Sequence, residues 1–215
     1  MKKIISKNCI ALAILFLIGS VFANEKDALY SLQHGWESAN YQLDEEAKNS
    51  EFQKLITLAE ASVKTYPDDA RILIWSGIVK SSYAGVAGGI KALGLVKEAK
   101  NDLERAIAID GESMGGSAYA SLGALYFNVP GWPISFGNDD KAEENLLRAL
   151  SINPQSIDNN YFYGLFLLKQ KRYPEAKEFL MRAKSSPPRP ERPIADSERQ
   201  KEIDVALKEL PSNES

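Results

Sequence analysis

One spacing, repeated three times, constrains the fold of this 215-residue chain more than any other feature. Each copy has a Gly, then an Ala, a Leu four residues later and a second Ala three residues after that, and it ends at Gly or Pro. The copies are Gly77, Ala99, Leu103, Ala106, Gly111; Gly123, Ala142, Leu146, Ala149, Pro154; and Gly164, Ala176, Leu180, Ala183, Pro188. Self-similarity at about 34 residues plus insertions is typical of stacked helical hairpins, which usually hold a partner rather than catalyse a reaction.

The residue types explain how such hairpins pack. A Gly or Ala that faces a neighbouring helix lets two backbones approach closely, and the Leu one turn further on fills the remaining space. The departures from a regular period place extra residues in two turns, 84–92 and 129–138. A fourth, degenerate copy comes first in the chain, with Gly35 on its first helix and Leu55 on its second.

Apolar periodicity and turn residues predict an all-α fold without strands: a solenoid of three to four antiparallel hairpins with a C-terminal capping helix. The predicted helices are 25–41, 46–65, 69–84, 93–109, 117–128, 139–151, 157–169, 174–183 and 195–210. They form one repeat domain, 24–210, with hairpins at 25–67, 69–111, 117–154 and 157–186 and a tail at 211–215. Pro67, Pro154 and Pro187 are expected to stop helices, whereas Pro174 suits a first turn.

The first 23 residues have the pattern of a secretory signal peptide. Lys2, Lys3 and Lys7 precede an apolar run, 10–22, and a cleavage site is expected after Ala23. We therefore expect a protein secreted across the inner membrane, most simply into the periplasm. The run is too short to span a bilayer comfortably and no second one follows, so no stable membrane insertion is expected.

Composition excludes several chemistries. The single Cys lies at position 9, inside the predicted signal peptide, so a disulfide, a thiolate nucleophile and a Cys-bound metal are not expected after cleavage. Without residues 1–23 the chain has 23 basic and 29 acidic side chains, a balance that disfavours nucleic acid as a partner. With one His and no metal spacing, the candidate acids are the pairs 45–46, 68–69 and 139–140. Each pair stands where a helix should start. We expect no enzyme activity, no cofactor and no metal.

The repeat residues resemble the tetratricopeptide repeat (TPR) family, whose repeats are two antiparallel helices with small residues at the crossing points. The resemblance covers roughly 28–210. Segments 92–99, 130–142 and 187–190 are similar to secreted bacterial TPR proteins without an established activity. A weaker resemblance, in the signal peptide, the small size and the four imperfect repeats, is to the periplasmic T-component of tripartite ATP-independent (TRAP) transporters. Ser76 and Lys80 depart from the family, since large apolar residues are expected beside Gly77.

The resemblance implies that the first helix of each hairpin lines a concave groove. The expected lining includes Trp36, Arg71, Ile74, Ile78, Ala120, Ala124, Phe127, Asn128, Tyr161 and Leu165. Only Arg71 and Lys169 bring positive charge, so the groove is expected to be apolar. It would receive an amphipathic helix or a lipid-like small molecule. Alternatively, the terminal helices cover these side chains, which are then simply core.

Two loops and the C-terminal region add further expectations. Trp132 and Phe136, in the loop 130–137, either contact a partner or tuck against the stack. The glycine-rich segment 85–94 is expected to be a turn, with an anion cradle as the weaker reading. Residues 187–193 are expected to be extended and hydrated, or to dock a recognition domain, before an amphipathic capping helix.

Two functions remain open from the sequence. One is a protein-interaction scaffold that uses the concave groove. The other is a carrier or transporter accessory that binds an apolar small molecule.

Overall fold

The structure is a computed structural model that describes residues 25–211. The predicted signal peptide lies outside these residues, as does most of the predicted tail. Within the described range the chain forms nine helices and no strand, apart from one isolated bridge between Gly131 and Gly137. The helices are α1 (25–41), α2 (Glu45–Thr65), α3 (Ala70–Ala87), α4 (Gly89–Asp110), α5 (Ser113–Asn128), α6 (Asp139–Ile152), α7 (Ile157–Lys169), α8 (Tyr173–Lys184) and α9 (Pro193–Lys208).

The helices form an all-α solenoid of four antiparallel hairpins followed by a C-terminal helix, as the sequence predicts. The hairpins are α1–α2, α3–α4, α5–α6 and α7–α8. The first helices α3, α5 and α7 also contact one another in turn, and α9 packs on α7 and α8. The first helices therefore form the inner layer of the stack.

Local sequence fixes where most helices begin and end. Asp44, Asp69 and Asn138 each accept a hydrogen bond from a backbone N–H in the first turn of the helix that follows. The carboxylates at 45–46 and 139–140 lie in first turns, where the positive end of the helix dipole favours them. The adjacent acidic pairs are therefore start signals, as expected from the sequence.

The same contact recurs in all four hairpins, between the Gly of the first helix and a Leu of the second. A Cβ atom added at Gly35, Gly77, Gly123 or Gly164 would lie 2.5–2.8 Å from a side-chain carbon of its Leu. The four partners, in chain order, are Leu55, Leu103, Leu146 and Leu180. Because real Cβ atoms do not approach so closely, any larger residue at a crossing would force the Leu or the backbone to shift.

The glycine-rich segment 85–94 is not the loop that the sequence suggests. The helix α3 continues to Ala87 and α4 begins at Gly89, so hairpin two has longer helices rather than a longer turn. The reversal needs only Gly88 and Gly89, whose φ angles are +62° and +58°. The other glycines of the segment lie in helices, at a cost of roughly 0.5–1 kcal/mol each relative to Ala.

Ser76 and Lys80, the two polar residues of hairpin two that depart from the repeat pattern, form a buried network with Asp102. Lys80 Nζ lies 2.6 Å from Asp102 Oδ2, and the Ser76 hydroxyl donates to the same oxygen at 2.7 Å. All three side chains are buried. Ser76 and Lys80 on α3 thus replace apolar contacts with an ion pair to α4, which preserves the repeat architecture.

Candidate functional site

A large cavity occupies the concave side of the stack. Its volume is about 790 Å³, and its wall is formed by α1, α3, α4, α5 and α7 together with the closing segment, which we define as residues 189–199. Among the residues expected to line a groove, six contribute to this wall: Trp36, Ile74, Ile78, Ala120, Ala124 and Asn128. The first helices α1, α3, α5 and α7 therefore each contribute side chains to the wall of this cavity. We call it the concave cavity.

Three residues expected on this wall lie elsewhere. Arg71 stands at the start of α3, where its guanidinium pairs with Asp69 at 2.8 Å and with Glu25. Phe127 is buried in the core, with its ring centroid 5.9 Å from that of Phe166. Leu165 packs against the core from a half-buried position. The expectation is therefore wrong for residues at different places in their helices: Arg71 is near the start of α3, Phe127 near the end of α5 and Leu165 in the middle of α7.

Tyr161 also lies away from the cavity. It is buried in a small second core with Leu180 and Ile203, under the guanidinium of Arg199 at 4.3 Å from its ring centroid. Burial raises the pKa of its hydroxyl, an effect that Arg199 opposes. The cover comes from α9, so the expectation that a terminal helix covers the inner layer is right for the last hairpin.

The two aromatic residues of the loop 130–137 have different environments. Phe136 is half-buried and packs edge-on against Tyr126, with ring centroids 5.6 Å apart. Trp132 is 90% exposed, and neither residue lines the concave cavity. Phe136 therefore anchors the loop, while Trp132 is displayed.

Sequence reasoning missed the basic part of the wall. Arg189, Arg192 and Arg199 all line the cavity, beside Asp158 of α7. Residues 187–192 are coil or turn and mostly exposed, as expected, but the side chains of Arg189, Glu191 and Arg192 line the cavity. The structure therefore corrects two expectations: this segment is part of the cavity, and the lining is not uniformly apolar.

Ion pairs hold the closing segment to α7. Arg189 Nη1 donates to Asp158 Oδ2 at 2.7 Å, and Arg199 Nε donates to Asp158 Oδ1 at 2.9 Å. Arg189 Nε also donates to Asp196 Oδ1 at 2.8 Å. Burial acts to raise the pKa of Asp158, but the two guanidinium groups outweigh it and lower this pKa to about 2. Asp158 is therefore ionised at neutral pH and is poorly suited to act as a general acid.

A second contact joins the closing segment to the first helix. The backbone N–H of Ala195 donates to Glu37 Oε1 at 2.8 Å, across 158 residues of sequence. The Glu37 side chain is only 5% exposed. The segment thus bridges α7 and α1, the last and the first of the inner helices, and closes one side of the cavity.

Arg192 lies over two indole rings of the cavity wall. Its guanidinium carbon is 4.8 Å from the ring centroid of Trp75 and 5.8 Å from that of Trp36. Trp36 is fixed by a 2.7 Å hydrogen bond from Nε1 to Ser82 Oγ. Burial lowers the pKa of Arg192, and the nearby charge of Arg189 acts in the same direction. The site therefore presents a half-buried cation on an aromatic platform.

A sequence signal for the basic wall exists in the spacing of the C-terminal charges. Arg192, Asp196 and Arg199 recur at four and three residues, the spacing of one helix face, and Arg199 precedes Ile203 of the apolar stripe by one turn. Charges on the packed face of a helix indicate buried ion pairs. Their partners on α1 and α7 are too distant in sequence to be read from any local pattern.

These features define a class of protein: an all-α hairpin solenoid with a ligand-sized concave cavity. No protein-family model matches the chain, and no curated protein matches its sequence at a significant level. Within residues 25–211, no group of three or more His, Cys, Asp or Glu side chains is arranged to hold a metal ion. None of the helices in the described part of the chain combines the length and apolar character needed to cross a membrane.

Proposed function

We propose that this chain is a non-enzymatic binding protein of the TPR type whose concave cavity holds an apolar small molecule. The observation that carries the proposal is the cavity itself. Its volume, about 790 Å³, lies within the range of roughly 300–1,000 Å³ that is usual for small-molecule sites. Most of its wall is aliphatic, aromatic or small, and its charged side chains all belong to α7 and the closing segment.

The closing segment favours a small molecule over an amphipathic helix as the ligand. It occupies part of the concave face and is fastened to both α1 and α7. A helix docking along the whole face would have to displace these contacts. A small molecule can be enclosed by them.

Export is part of the same proposal. The pattern of residues 1–23 supports secretion into the periplasm, and the likeness to the T-component of TRAP transporters supports a role as a carrier or transporter accessory. We assign no reaction and no cofactor, because Asp158 is held ionised between two arginines and His34 stands apart from the cavity lining.

A cavity-filling variant tests the proposal. Ala124, on the wall, is replaced by Trp, and binding of a neutral hydrophobic fluorescent probe such as N-phenylnaphthylamine is titrated. We expect wild-type protein to bind the probe and Ala124→Trp to bind it at least tenfold more weakly, because the indole would occupy the space. Ala61→Trp, which places the same side chain on the exposed face of α2, should bind as the wild type does.

One control and two contradicting outcomes complete the titration. Circular dichroism establishes that both Trp variants are folded. Equal probe binding by all three proteins would contradict a ligand site in the cavity, as would the absence of any extractable apolar compound together with no probe binding.

A second candidate is a protein-interaction scaffold, favoured by the displayed loop. Trp132 is 90% and Ile134 62% exposed, and the loop also contains Pro130 and Pro133. Large aromatic side chains often anchor protein interfaces. The test is crosslinking in the intact cell envelope, with identification of the captured protein. Trp132→Ala should abolish a specific crosslink without changing the unfolding temperature, and an unchanged crosslink would contradict this role.

A further inference from the structure

The three arginines of the cavity wall differ in how their charges are compensated. Arg189 and Arg199 each donate to Asp158 and to a second carboxylate. The Arg192 side chain makes no hydrogen bond to any residue of 25–211, although it is only 13% exposed. Its nearest carboxylate oxygen, Oε1 of Glu37, lies 4.0 Å from Nε. Arg192 therefore retains its donors for another acceptor.

Glu37 is already engaged by other groups. Its Oε1 accepts the Ala195 N–H at 2.8 Å, and its Oε2 lies 3.5 Å from His34 Nδ1. It balances part of the charge of Arg192 at a distance, but it does not form the two parallel hydrogen bonds that a guanidinium can make with a carboxylate. Arg192 is thus a mostly buried cation whose one ion pair, with Glu37 at 4.0 Å, is long, and a closer anion would compensate its charge better.

The surroundings of Arg192 restrict which anion fits. Asp158 and Glu191 also line the cavity, so a highly charged group such as a phosphate monoester would be repelled. A single negative charge matches one open guanidinium. Away from these charges the wall contains apolar side chains, Ile74, Ile78 and Val96 among them, together with uncharged polar residues.

We propose that the concave cavity binds an amphiphilic carboxylate, whose carboxylate accepts hydrogen bonds from Arg192 and whose aliphatic tail lies against the apolar wall. This inference rests on the proposed function and adds the chemical class of the ligand. The two indoles that carry the guanidinium hold it in place before the ligand arrives, which reduces the entropic cost of binding.

The test compares two ligands with the same tail, decanoate and decanol, at pH 7.4 and below the micelle concentration, by calorimetric titration. We expect wild-type protein to bind decanoate at least tenfold more tightly than decanol. Arg192→Gln should reduce this ratio to about one by weakening decanoate binding alone. Arg182→Gln, which removes an exposed arginine of α8, should leave the ratio unchanged.

The outcomes separate the two proposals. Equal binding of decanoate and decanol by the wild type overturns this inference but supports an apolar ligand. If the wild-type protein binds neither decanoate nor decanol, both this inference and the proposed function are overturned. An unchanged ratio in Arg192→Gln overturns the role of Arg192. If that variant does not fold, Arg192→Lys replaces it, with at least a threefold loss of decanoate affinity expected and an unchanged affinity overturning the inference.

Discussion

Lys80 is a charged side chain buried inside hairpin two, and one partner offsets the free-energy cost of burying its charge. Asp102 supplies the carboxylate at 2.6 Å, and Ser76 donates a further hydrogen bond to it. Glu98, the other acid nearby, is 3.7 Å from Lys80 and much more exposed. A buried ion pair adds little net stability over apolar residues, but removing one partner leaves an uncompensated charge.

Asp102→Ala is therefore expected to be severely destabilising. The loss should be about 3–5 kcal/mol in the free energy of unfolding, measured by urea denaturation. The double variant Lys80→Met, Asp102→Leu should recover most of this loss, because it removes both charges. Asp204→Ala, which breaks an exposed pair between α8 and α9, should change stability by less than about 1 kcal/mol. A mild effect of Asp102→Ala would contradict the buried-pair interpretation.

The glycines at helix crossings give a second residue-scale prediction. At Gly123 an added Cβ would lie 2.6 Å from Leu146 Cγ and 3.1 Å from the Ala142 carbonyl oxygen. Gly123→Ala should therefore destabilise the protein by about 1–3 kcal/mol through overpacking. At Gly94, within α4, a Cβ meets nothing within 4 Å, so Gly94→Ala should stabilise by about 0.5–1 kcal/mol. Thermal unfolding of the pair should give shifts of opposite sign, and shifts of equal sign would contradict the argument.

For single residues, the sequence predicts the packing contacts between helices better than it predicts the residues that line the cavity. The Gly and Leu positions follow a period, so their meeting at each crossing can be anticipated from spacing alone. The spacing of Arg192 and its neighbours indicates packed charges, but its contact with Trp36 and Trp75 could not be predicted, because both are more than a hundred residues earlier in the chain. No local pattern encodes such a contact.

Among the elements, α9 differs most from its expected role. It covers the last hairpin, as a capping helix should, but the residues that precede it also form a wall of the cavity. Asp158 of α7 fastens it through Arg189 and Arg199, which hold the pKa of Asp158 at about 2 against the opposing effect of burial. The carboxylate thus stabilises the folded state wherever it is ionised.

The pH dependence of Asp158→Asn follows from this pKa. A folded pKa below the ordinary 3.8 contributes stability that is present above about pH 4 and is lost as the pH falls towards 2. The variant should be about 2 kcal/mol less stable than the wild type at pH 7, and the difference should shrink at pH 2.5. Urea denaturation at both pH values measures it. A constant difference would contradict the assigned pairing.

Element boundaries were predictable where capping side chains and prolines set them. The helix α8 begins with Pro174 in its first turn, and α2 and α6 end two residues before Pro67 and Pro154. The prediction of a turn over 85–94 was wrong because glycine is frequent in turns but is also tolerated inside helices. Only the φ angles distinguish the two uses.

For the molecule as a whole, the contact between Glu37 and Ala195 joins the two ends of the inner layer. Open solenoids contact only neighbouring repeats, so their ends unfold independently. Here we expect the backbone amides of α1 and of the closing segment to gain or lose protection against hydrogen exchange together.

Glu37→Gln tests this coupling. The variant weakens the acceptor for the Ala195 N–H and removes the carboxylate nearest Arg192. Hydrogen exchange followed by mass spectrometry should show faster exchange in peptides from both 25–41 and 189–199. Glu178→Gln, at an exposed pair on α8, should leave both unchanged. Faster exchange in only one of the two peptides would contradict the coupling.

The position of the closing segment also has a consequence for biosynthesis. Residues 189–199 are nearly the last of the described chain to leave the ribosome, yet they supply the arginines of the cavity. A chain that ended before residue 189 would lack all three arginines of the cavity wall. The basic side of the cavity is therefore complete only when the last part of the described chain has packed against α1 and α7.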